Sequence, residues 1–380
     1  MNILVLNVGS SSCKCWFQHV PKGRIWTAHT EWEASEKGED RIGPLVQSLW
    51  QGEKKAIDSP SEIEVVGHRI VHGGPKYRAS VFVTREVRAA IAEQAEFAPA
   101  HNRLQLAGIE TVDHLIGAHV PQVAVFDTGF HATLDATAYV YPGPYAWFEQ
   151  GIRRYGFHGI SVQYSTRRAA ELLHAPADSL RLIVCHLGNG ASVTAVANGK
   201  SVDTSMGFTP LEGLMMGTRS GSIDPAIPDY LLRHGTSAED LDHILNAQSG
   251  LLGVSGLSGD MREILAAIEQ GNPRARLAYD IYAHRLTSEI GAMLAVLGGV
   301  DAIVFTAGIG ENCAPLRKDV CGQFGFLGLK LDQALNARPV LDQNIAAAGS
   351  PVQVLVIRAD EDSEIARECL RLRSPQPSHV

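Results

Sequence analysis

The sequence predicts an α/β protein made of two related halves, on three observations. Short β-branched runs alternate with segments of helical periodicity. A strand-and-glycine pattern near the start returns about half-way along the 380 residues. The length itself divides into about two domains at roughly 150 residues each. Apolar residues make up 45% and charged residues 19%, ordinary globular usage that excludes a disordered chain. The net charge of −8 leaves no basic excess to collect the phosphates of a duplex, so no nucleic-acid partner is expected. The longest apolar stretch, Ile290 to Val300, falls far short of the about 20 residues a membrane span needs, so no membrane partner is expected either. Met1-Asn2-Ile3-Leu4-Val5 has no basic segment ahead of its apolar run and does not read as a signal peptide. Six scattered cysteines, with only Cys13 and Cys15 close together, read as reduced thiols of a cytoplasmic protein.

In chain order, Ile3 to Val8 is an apolar strand running into Gly9-Ser10-Ser11-Ser12 and then into the apolar Cys15-Trp16-Phe17. Leu182 to Leu187, Gly188-Asn189-Gly190-Ala191 and Val193 to Val196 repeat that order, with Gly188 lying 179 residues after Gly9. This duplication favours two halves facing each other across a cleft. The polar stretch from Glu31 to Glu64 reads as peripheral. Val65 to Val71, Val123 to Phe126, Ile303 to Phe305 and Val352 to Ile357 read as buried strands. After Pro273, Leu277, Ile281, Leu286, Ile290, Met293 and Leu297 recur near the helical period until Gly298-Gly299 stops them. A final helix shows Ile365, Ala366, Cys369 and Leu370 on one face, and Ser374 to Val380 reads as a frayed tail.

A phosphate loop needs small residues so that backbone N–H groups can approach the oxygens without a Cβ in the way. Three segments qualify: Asn7 to Lys14 (N-V-G-S-S-S-C-K), His186 to Ser192 (H-L-G-N-G-A-S) and Gly308 to Asn312 (G-I-G-E-N). None is a Walker A loop. The pairs Gly188/Gly190 and Gly308/Gly310 both lack the third glycine of the dinucleotide fingerprint. The first two segments lead into strand-like sequence, so each is expected to form a hairpin that clasps phosphate in its turn.

Polar residues interrupt the strand ends. His68-Arg69-Ile70-Val71-His72-Gly73-Gly74 spaces two histidines four apart, but the glutamate of a helical zinc pair is missing and the run reads as strand. Arg69 within it needs an anion. Asp127-Thr128-Gly129 follows a strand, yet an aspartic protease needs a second such motif, and the sequence has none. That carboxylate is read as orienting a reactant or a metal-bound water. Arg153-Arg154-Tyr155-Gly156-Phe157-His158-Gly159 and Met216-Gly217-Thr218-Arg219-Ser220-Gly221-Ser222 set cations and an imidazole between glycines. Phosphate loops, arginines, a histidine and an acid are what phosphoryl transfer requires, because its catalysis is mostly positioning and charge neutralisation.

Taken together, N-V-G-S-S-S-C-K, H-R-I-V-H-G-G, F-D-T-G-F-H, R-R-Y-G-F-H-G, H-L-G-N-G-A-S, M-G-T-R-S-G, S-G-L-S-G-D-M-R, A-G-I-G-E-N and D-E-D-S-E-I-A-R-E run in order from Asn7 to Arg367. In these segments the chain resembles the acetokinase family of short-chain acyl kinases, the acetate kinases, within the actin-like ATPase superfamily. The resemblance implies a duplicated actin-like (ribonuclease H-like) fold with two domains around a nucleotide cleft. Residues 1–128 plus 363–380 would form the first domain, and residues 129–362 the second, with most of the nucleotide site. It implies reversible transfer from ATP to acetate, giving ADP and acetyl phosphate, with Mg²⁺ or Mn²⁺, in a homodimer.

Carried over residue by residue, the resemblance makes Asn7 and Glu361 the metal-site positions and Ser12 and Lys14 the phosphate-contacting ones. It makes Arg69 the holder of the acyl carboxylate, Asp127 the essential acid, and His158 with Arg219 the pair that stabilises the transferring phosphoryl group. The nucleotide would lie on His186, Leu187, Gly188, Asn189 and Gly190, on Asp260, Met261 and Arg262, and on Gly308, Ile309, Gly310, Glu311 and Asn312. Asp127 acts either as base or as orienter, and orienting suits a carboxylate nucleophile that is already ionised at neutral pH.

The departures carry information too. Pro99-Ala100-His101-Asn102-Arg103 stands where the family usually has P-L-H-N-P, so Ala100 would enlarge the acyl pocket implied at Val71, Phe157 and Pro210. One methylene in such a pocket is worth about 1–3 kcal/mol, enough to shift preference towards propionate or butyrate. Ser222 replaces an aspartate, and Arg358-Ala359-Asp360 replaces P-T-[ND]. A nucleotide-switched actin-like module is the alternative of a different class; it accounts for the glycine loops but not for Arg69, His158 and Arg219. Pyrophosphate as donor is a further alternative.

Overall fold

The computed structural model describes residues 1–9, 12–32, 36–96 and 99–374, without the side chains of residues 96 and 99–101. The chain forms two compact units, Met1–Ala132 with Asp360–Val380 and Thr133–Ala359. Seven helices matter below: α1 (Glu39–Gln47), α2 (Pro99–Leu115), α3 (Gly159–Leu173), α4 (Met261–Glu269), α5 (Pro273–Leu297), α6 (Ala307–Asn312) and α7 (Glu361–Arg373).

In the first unit, β1 (Asn2–Val8) pairs antiparallel with β2 (Ser12–His19), and β2 pairs antiparallel with β3 (Gly23–Glu31). On its other side β1 runs parallel to β4 (Val65–Ile70), which runs parallel to β6 (Gln122–Phe126). The two-residue β5 (Val81–Phe82) closes that edge antiparallel to β6, giving the order β3-β2-β1-β4-β6-β5. The inner strands are apolar on both faces because both faces are covered. Leu4, Leu6, Val8 and Val66 join a core with Ile42, Val46 and Val112 from α1 and α2. On the opposite face α7 lies against Gly67, where a Cβ would come within 2.6 Å of Ile365 Cγ2 and 2.7 Å of Cys369 Sγ.

The stretch from Glu31 to Glu64 is therefore not peripheral. It contains α1, and Ile42, Val46 and Leu49 are fully buried, each worth about 1.5–3 kcal/mol. Their spacing is helical, but Gly43-Pro44 in the middle reads as a break.

The second unit repeats the plan strand for strand. Its strands are β7 (Arg181–Leu187), β8 (Ala191–Ala197), β9 (Lys200–Thr204), β10 (Ala302–Thr306), β11 (Gln343–Asn344) and β12 (Gln353–Val356), in the order β11-β12-β10-β7-β8-β9. Read from the β9 edge, pair directions follow those of the first sheet from β3 to β5. In the first hairpin Val8 pairs with Cys13, in the second Leu187 with Ala191, so the second turn is one residue shorter. Past that turn the bulges still correspond, lying between Phe17 and Gln18 in one and Ala195 and Val196 in the other. This is the duplicated actin-like fold, with its antiparallel and parallel strands in the same places twice.

α5 is capped by Asn272, whose side chain accepts from Arg274 N and Ala275 N, and stops at Gly298 with φ 63°. Its buried face differs from the expected one near the start. Ala275, Ala278, Tyr279 and Tyr282 turn inward, while Leu277 is 52% exposed. Leu277 lies nine residues before the buried Leu286, two and a half turns, and so falls on the far side. α7 buries Ile365, Ala366 and Cys369 as its pattern predicts. Residues 375–380 of the expected tail lie outside the described residues.

Candidate active site

Parallel pairing brings three polar strand ends of the first unit together. Leu6 of β1 sits beside His68 of β4, and Arg69 beside Val125 of β6, so Asn7, Arg69 and Asp127 follow at one sheet edge. Arg69 donates from Nε and Nη2 to Asp127 Oδ2 at 3.0 and 2.7 Å. Its Nη1 lies 3.3 Å from Asn7 Oδ1 and 3.2 Å from Glu361 Oε2. Asn7 Nδ2 donates to Glu361 Oε2 and to Asp362 Oδ1, both at 3.2 Å. Glu361 and Asp362 open α7, where a helix N-terminus favours negative charge; Asp360 caps it by accepting from Ser363 N.

Electrostatically this cluster is one arginine among three carboxylates. Burial, opposed by Arg69 and reinforced by the Glu361 charge, pushes the Asp127 carboxyl up to about 6. Burial and then Glu361 push Asp362 up to about 6 as well. Burial works against the Arg69 charge, but Asp127 and Glu361 outweigh it and raise that pKa. The second carboxylate oxygen of Asp127, Oδ1, is buried with no hydrogen-bond partner among the described residues, an acceptor left over in a desolvated place.

Nearby, Val71 is buried and its N–H donates to Gln105 Oε1 at 2.9 Å. Lys14 stands opposite Asn7 in the β1–β2 register and is exposed, and the Gly9 N–H closes the turn on Ser12 O at 2.8 Å. The side chain of Ala100 lies outside the described residues.

The second unit holds the histidines and Arg219. His158 adopts a left-handed backbone, φ 59°, immediately before α3, an unusual conformation for a residue other than glycine. Its ring stacks on His186 with centroids 4.1 Å apart. Nδ1 of His158 lies 3.0 Å from Ser192 Oγ, and Nδ1 of His186 lies 2.7 Å from Ser161 Oγ. A Cβ on Gly190 would meet Arg219 Nη1 at 3.2 Å and His158 Nε2 at 3.4 Å, so the guanidinium and the imidazole both stand over that glycine. Arg219 makes no ion pair among the described residues; Nη1 reaches only Pro210 O at 3.3 Å and the Met216 sulfur. Burial lowers its pKa. A desolvated guanidinium without a carboxylate is suited to an anionic ligand. Ser222, where an aspartate is usual, still ties this loop down: its N–H donates to Gly213 O at 2.9 Å and its Oγ accepts from Gly213 N at 3.0 Å.

A cavity of about 740 Å³ opens in the second unit. Gly188, Asn189, Asp260, Met261, Arg262, Gly308, Ile309 and Asn312 of the expected nucleotide residues line it, together with Gly259, Leu265 and Cys313, which sequence reading missed. Asp260 caps α4 by accepting from Arg262 N at 2.8 Å, and the Arg262 side chain is largely exposed. Gly217 packs so closely on Asn189 and Gly259 that a Cβ would collide with both. His186, Leu187, Gly190, Gly310 and Glu311 are not in the cavity lining, and Ser12 and Lys14 belong to the first unit.

Gly308 to Asn312 is not a loop but helix α6, entered through Ala307 at φ 63°. Arg317, fully buried, donates to the carbonyls of Gly310 and Glu311 at 2.8 and 2.9 Å and so replaces the bonds a short helix end lacks. Asp362, Ser161 and Ser192 also went unrecognised. An acidic run beside Glu361 signals the first and Ser192 closes the H-L-G-N-G-A-S segment, while nothing local signals Ser161.

The Acetokinase family profile matches residues 2–367. The acetate kinase of a Cyanothece species is similar at 52% identity over 402 aligned residues, with 98% of this chain and 98% of the relative covered. That of Gloeobacter violaceus is 52% identical over 401 residues, with 97% and 98% covered. Among solved structures, Porphyromonas gingivalis acetate kinase is similar with a TM-score of 0.88 at 38% identity, over 98% of this chain and 100% of that one. A propionate kinase from Francisella tularensis is similar with a TM-score of 0.83 at 36% identity, over 97% and 98%. Matched almost end to end by the family profile and by relatives it covers nearly in full, this chain belongs to the acetokinase family.

Proposed function

We propose that the protein is an acetate kinase, converting ATP and acetate reversibly into ADP and acetyl phosphate. Arg219 carries the reading: a desolvated guanidinium without an ion pair, beside His158 Nε2 over Gly190. Arg69, steered by Asp127, holds the acid. One carboxylate oxygen attacks the γ-phosphorus in line, and the bond to the ADP oxygen breaks with the electron pair leaving on ADP. Arg219 and His158 neutralise the charge on the equatorial oxygens. The adenosine side occupies the 740 Å³ cavity. Ser12, Lys14, Leu187, Gly310 and Glu311 complete the phosphate contacts.

Asn7 and Glu361 offer hard oxygen ligands, and the partnerless Asp127 Oδ1 adds an acceptor at the same edge. Mg²⁺, or Mn²⁺, fits such a set because it keeps most of its waters and needs few protein oxygens; when bound it supplies charge neutralisation on the phosphates. Val71, Ala100, Phe157 and Pro210 are the residues that the family resemblance assigns to the methyl group of the acid.

The two domains are read as residues 1–128 with 363–380 and residues 129–362; the compact units support this division except that residues 129–132 and 360–362 fall in the first unit. A homodimer is part of the same reading, and exposed side chains such as Tyr145, Trp147, Ile227 and Tyr230 in the second unit leave apolar area that a partner copy could cover. Six free, buried cysteines support a cytoplasmic setting.

An ADP-detecting assay with acetate, propionate and butyrate tests the reading. Acid-dependent ADP formation, fastest with acetate, is expected; slow hydrolysis indifferent to acid would sink the kinase. A propionate or butyrate preference would move the substrate towards longer acids, as Ala100 suggests. Pyrophosphate is expected to give no turnover.

A further inference from the structure

Behind the candidate residues of the second unit lies a polar network that no substrate role uses. Arg154 donates from Nη1 to three successive carbonyls, Thr204 O, Ser205 O and Met206 O, at 2.9, 3.1 and 2.9 Å. Its Nη2 reaches Glu212 Oε1 at 2.7 Å. The Tyr141 hydroxyl donates to Glu212 Oε2 and accepts from Phe208 N at 2.8 Å. Glycine is required at 207, because a Cβ there would collide with both the Glu212 carboxylate and the Tyr141 hydroxyl. The Gly207 carbonyl in turn accepts from Tyr155 N and Gly156 N at 3.0 and 3.3 Å.

Each end of this network leads to a candidate residue. The backbone at 155–156 runs directly into Phe157 and His158. Residues 204–213 carry Pro210, whose carbonyl accepts from Arg219, and Gly213, which exchanges two hydrogen bonds with Ser222 in the Arg219 loop. Asp203 and Glu289 stand close by; burial raises both carboxyl pKa values and the Glu212 charge raises them further. The Arg154 charge opposes both shifts, with Arg285 adding to it at Glu289, and Glu212 is the carboxylate that Arg154 binds directly.

We infer that Glu212, held between Arg154 and Tyr141, is a positioning residue that sets the Pro210 wall and thereby the discrimination among short-chain acids. The inference rests on the proposed acyl-kinase activity. A carboxylate gripped from both sides fixes the loop that carries Pro210, and a displacement of about 1 Å in such a wall costs up to roughly 100-fold in rate. The nucleotide cavity shares no residue with the network, so the effect belongs to the acid and not to ATP.

Tyr141→Phe and Glu212→Gln test this, with kcat and KM measured for acetate, propionate, butyrate and ATP beside the melting temperature. Both variants are expected to raise KM for acetate about tenfold and to change the acetate-to-propionate ratio of kcat/KM at least about threefold. KM for ATP is expected to stay within about twofold. An equal loss for all acids and for ATP, or no change in a folded variant, overturns the inference. Tyr141→Phe keeps the Arg154–Glu212 pair and decides the matter if Glu212→Gln does not fold. Wild-type protein that turns over no acid overturns the kinase reading; active wild type with unaltered variants overturns the positioning role alone.

Discussion

The two units share one sheet plan, yet their corresponding strand ends carry opposite chemistry. By register, Asn7, Arg69 and Asp127 at the ends of β1, β4 and β6 correspond to His186, Thr306 and Ala359 at the ends of β7, β10 and β12. The first three are charged or amide groups bonded to one another and to α7. At the arginine's counterpart the second unit has a fully buried threonine whose hydroxyl has no partner among the described residues, and at the aspartate's counterpart an alanine. A fold fixes where side chains gather, while the residues placed there decide what is bound. An edge with paired charges is suited to a carboxylate and a cation. One with glycines, imidazoles and an unpaired guanidinium is suited to phosphates.

If the division holds, damage to each unit should appear in a different kinetic constant. Arg219→Ala should have the largest effect, lowering kcat by about a thousandfold, roughly 4 kcal/mol, while KM for acetate stays near wild type. A comparable rise in KM for acetate would place the acid in the second unit instead. Arg69→Ala should follow, lowering kcat/KM for acetate about a hundredfold, mainly through KM. It leaves Asp127 buried without its cation, so a lower melting temperature should accompany it. Unchanged acetate affinity would remove Arg69 from the acid site.

A pH titration gives a smaller and more diagnostic effect. The Asp127 pKa in the fold, about 6, lies above its ordinary value of 3.8. Its protonation therefore favours the fold: that contribution is complete below about 4 and is lost as pH rises through 6. Acid binding runs the other way, because protonated Asp127 no longer steers Arg69. KM for acetate should rise as pH falls through about 6 while KM for ATP stays flat, and Asp127→Asn should abolish the difference. Parallel changes in both constants would break the contrast.

The smallest expected effects come from one alanine placed in each of the two hairpin turns. At Gly190 a Cβ presses on Arg219 and His158, so kcat should fall several-fold, within about 1–3 kcal/mol of strain. At Gly9 the nearest atom to a Cβ is 3.5 Å away, so Gly9→Ala should leave the melting temperature within about 2 °C. Equal losses in stability at both sites would show that the turns are packed alike.

Much of this contrast was legible in the sequence, for identifiable reasons. Strand ends bearing Asn7, Arg69 and Asp127 stand out because ionisable groups interrupt apolar runs, and the duplication shows because a strand and its glycine turn are contiguous. Less visible were features that depend on distant contacts. α1 was hidden by Gly43-Pro44 although its buried positions keep helical spacing. The G-I-G-E-N segment reads as a loop, but Arg317 holds its carbonyls in a helix. Tyr141, Arg154 and Glu212 are separated by up to 71 residues, and no local pattern announces that they meet.

The docking of α7 on Gly67 has a consequence for synthesis. A chain made from its N-terminus presents β1, β4 and β6 early, but their α7-facing surface stays bare until residues 361–373 emerge. All of residues 133–359 come out in between, which at roughly 5–20 residues per second takes about 10–45 s. During that interval the nascent first unit exposes an apolar sheet face and has no Glu361 beside Arg69. The second unit, continuous in sequence, can finish first. Translation thus completes the second unit before the first, and an interrupted chain lacks the helix that would complete the cluster around Arg69.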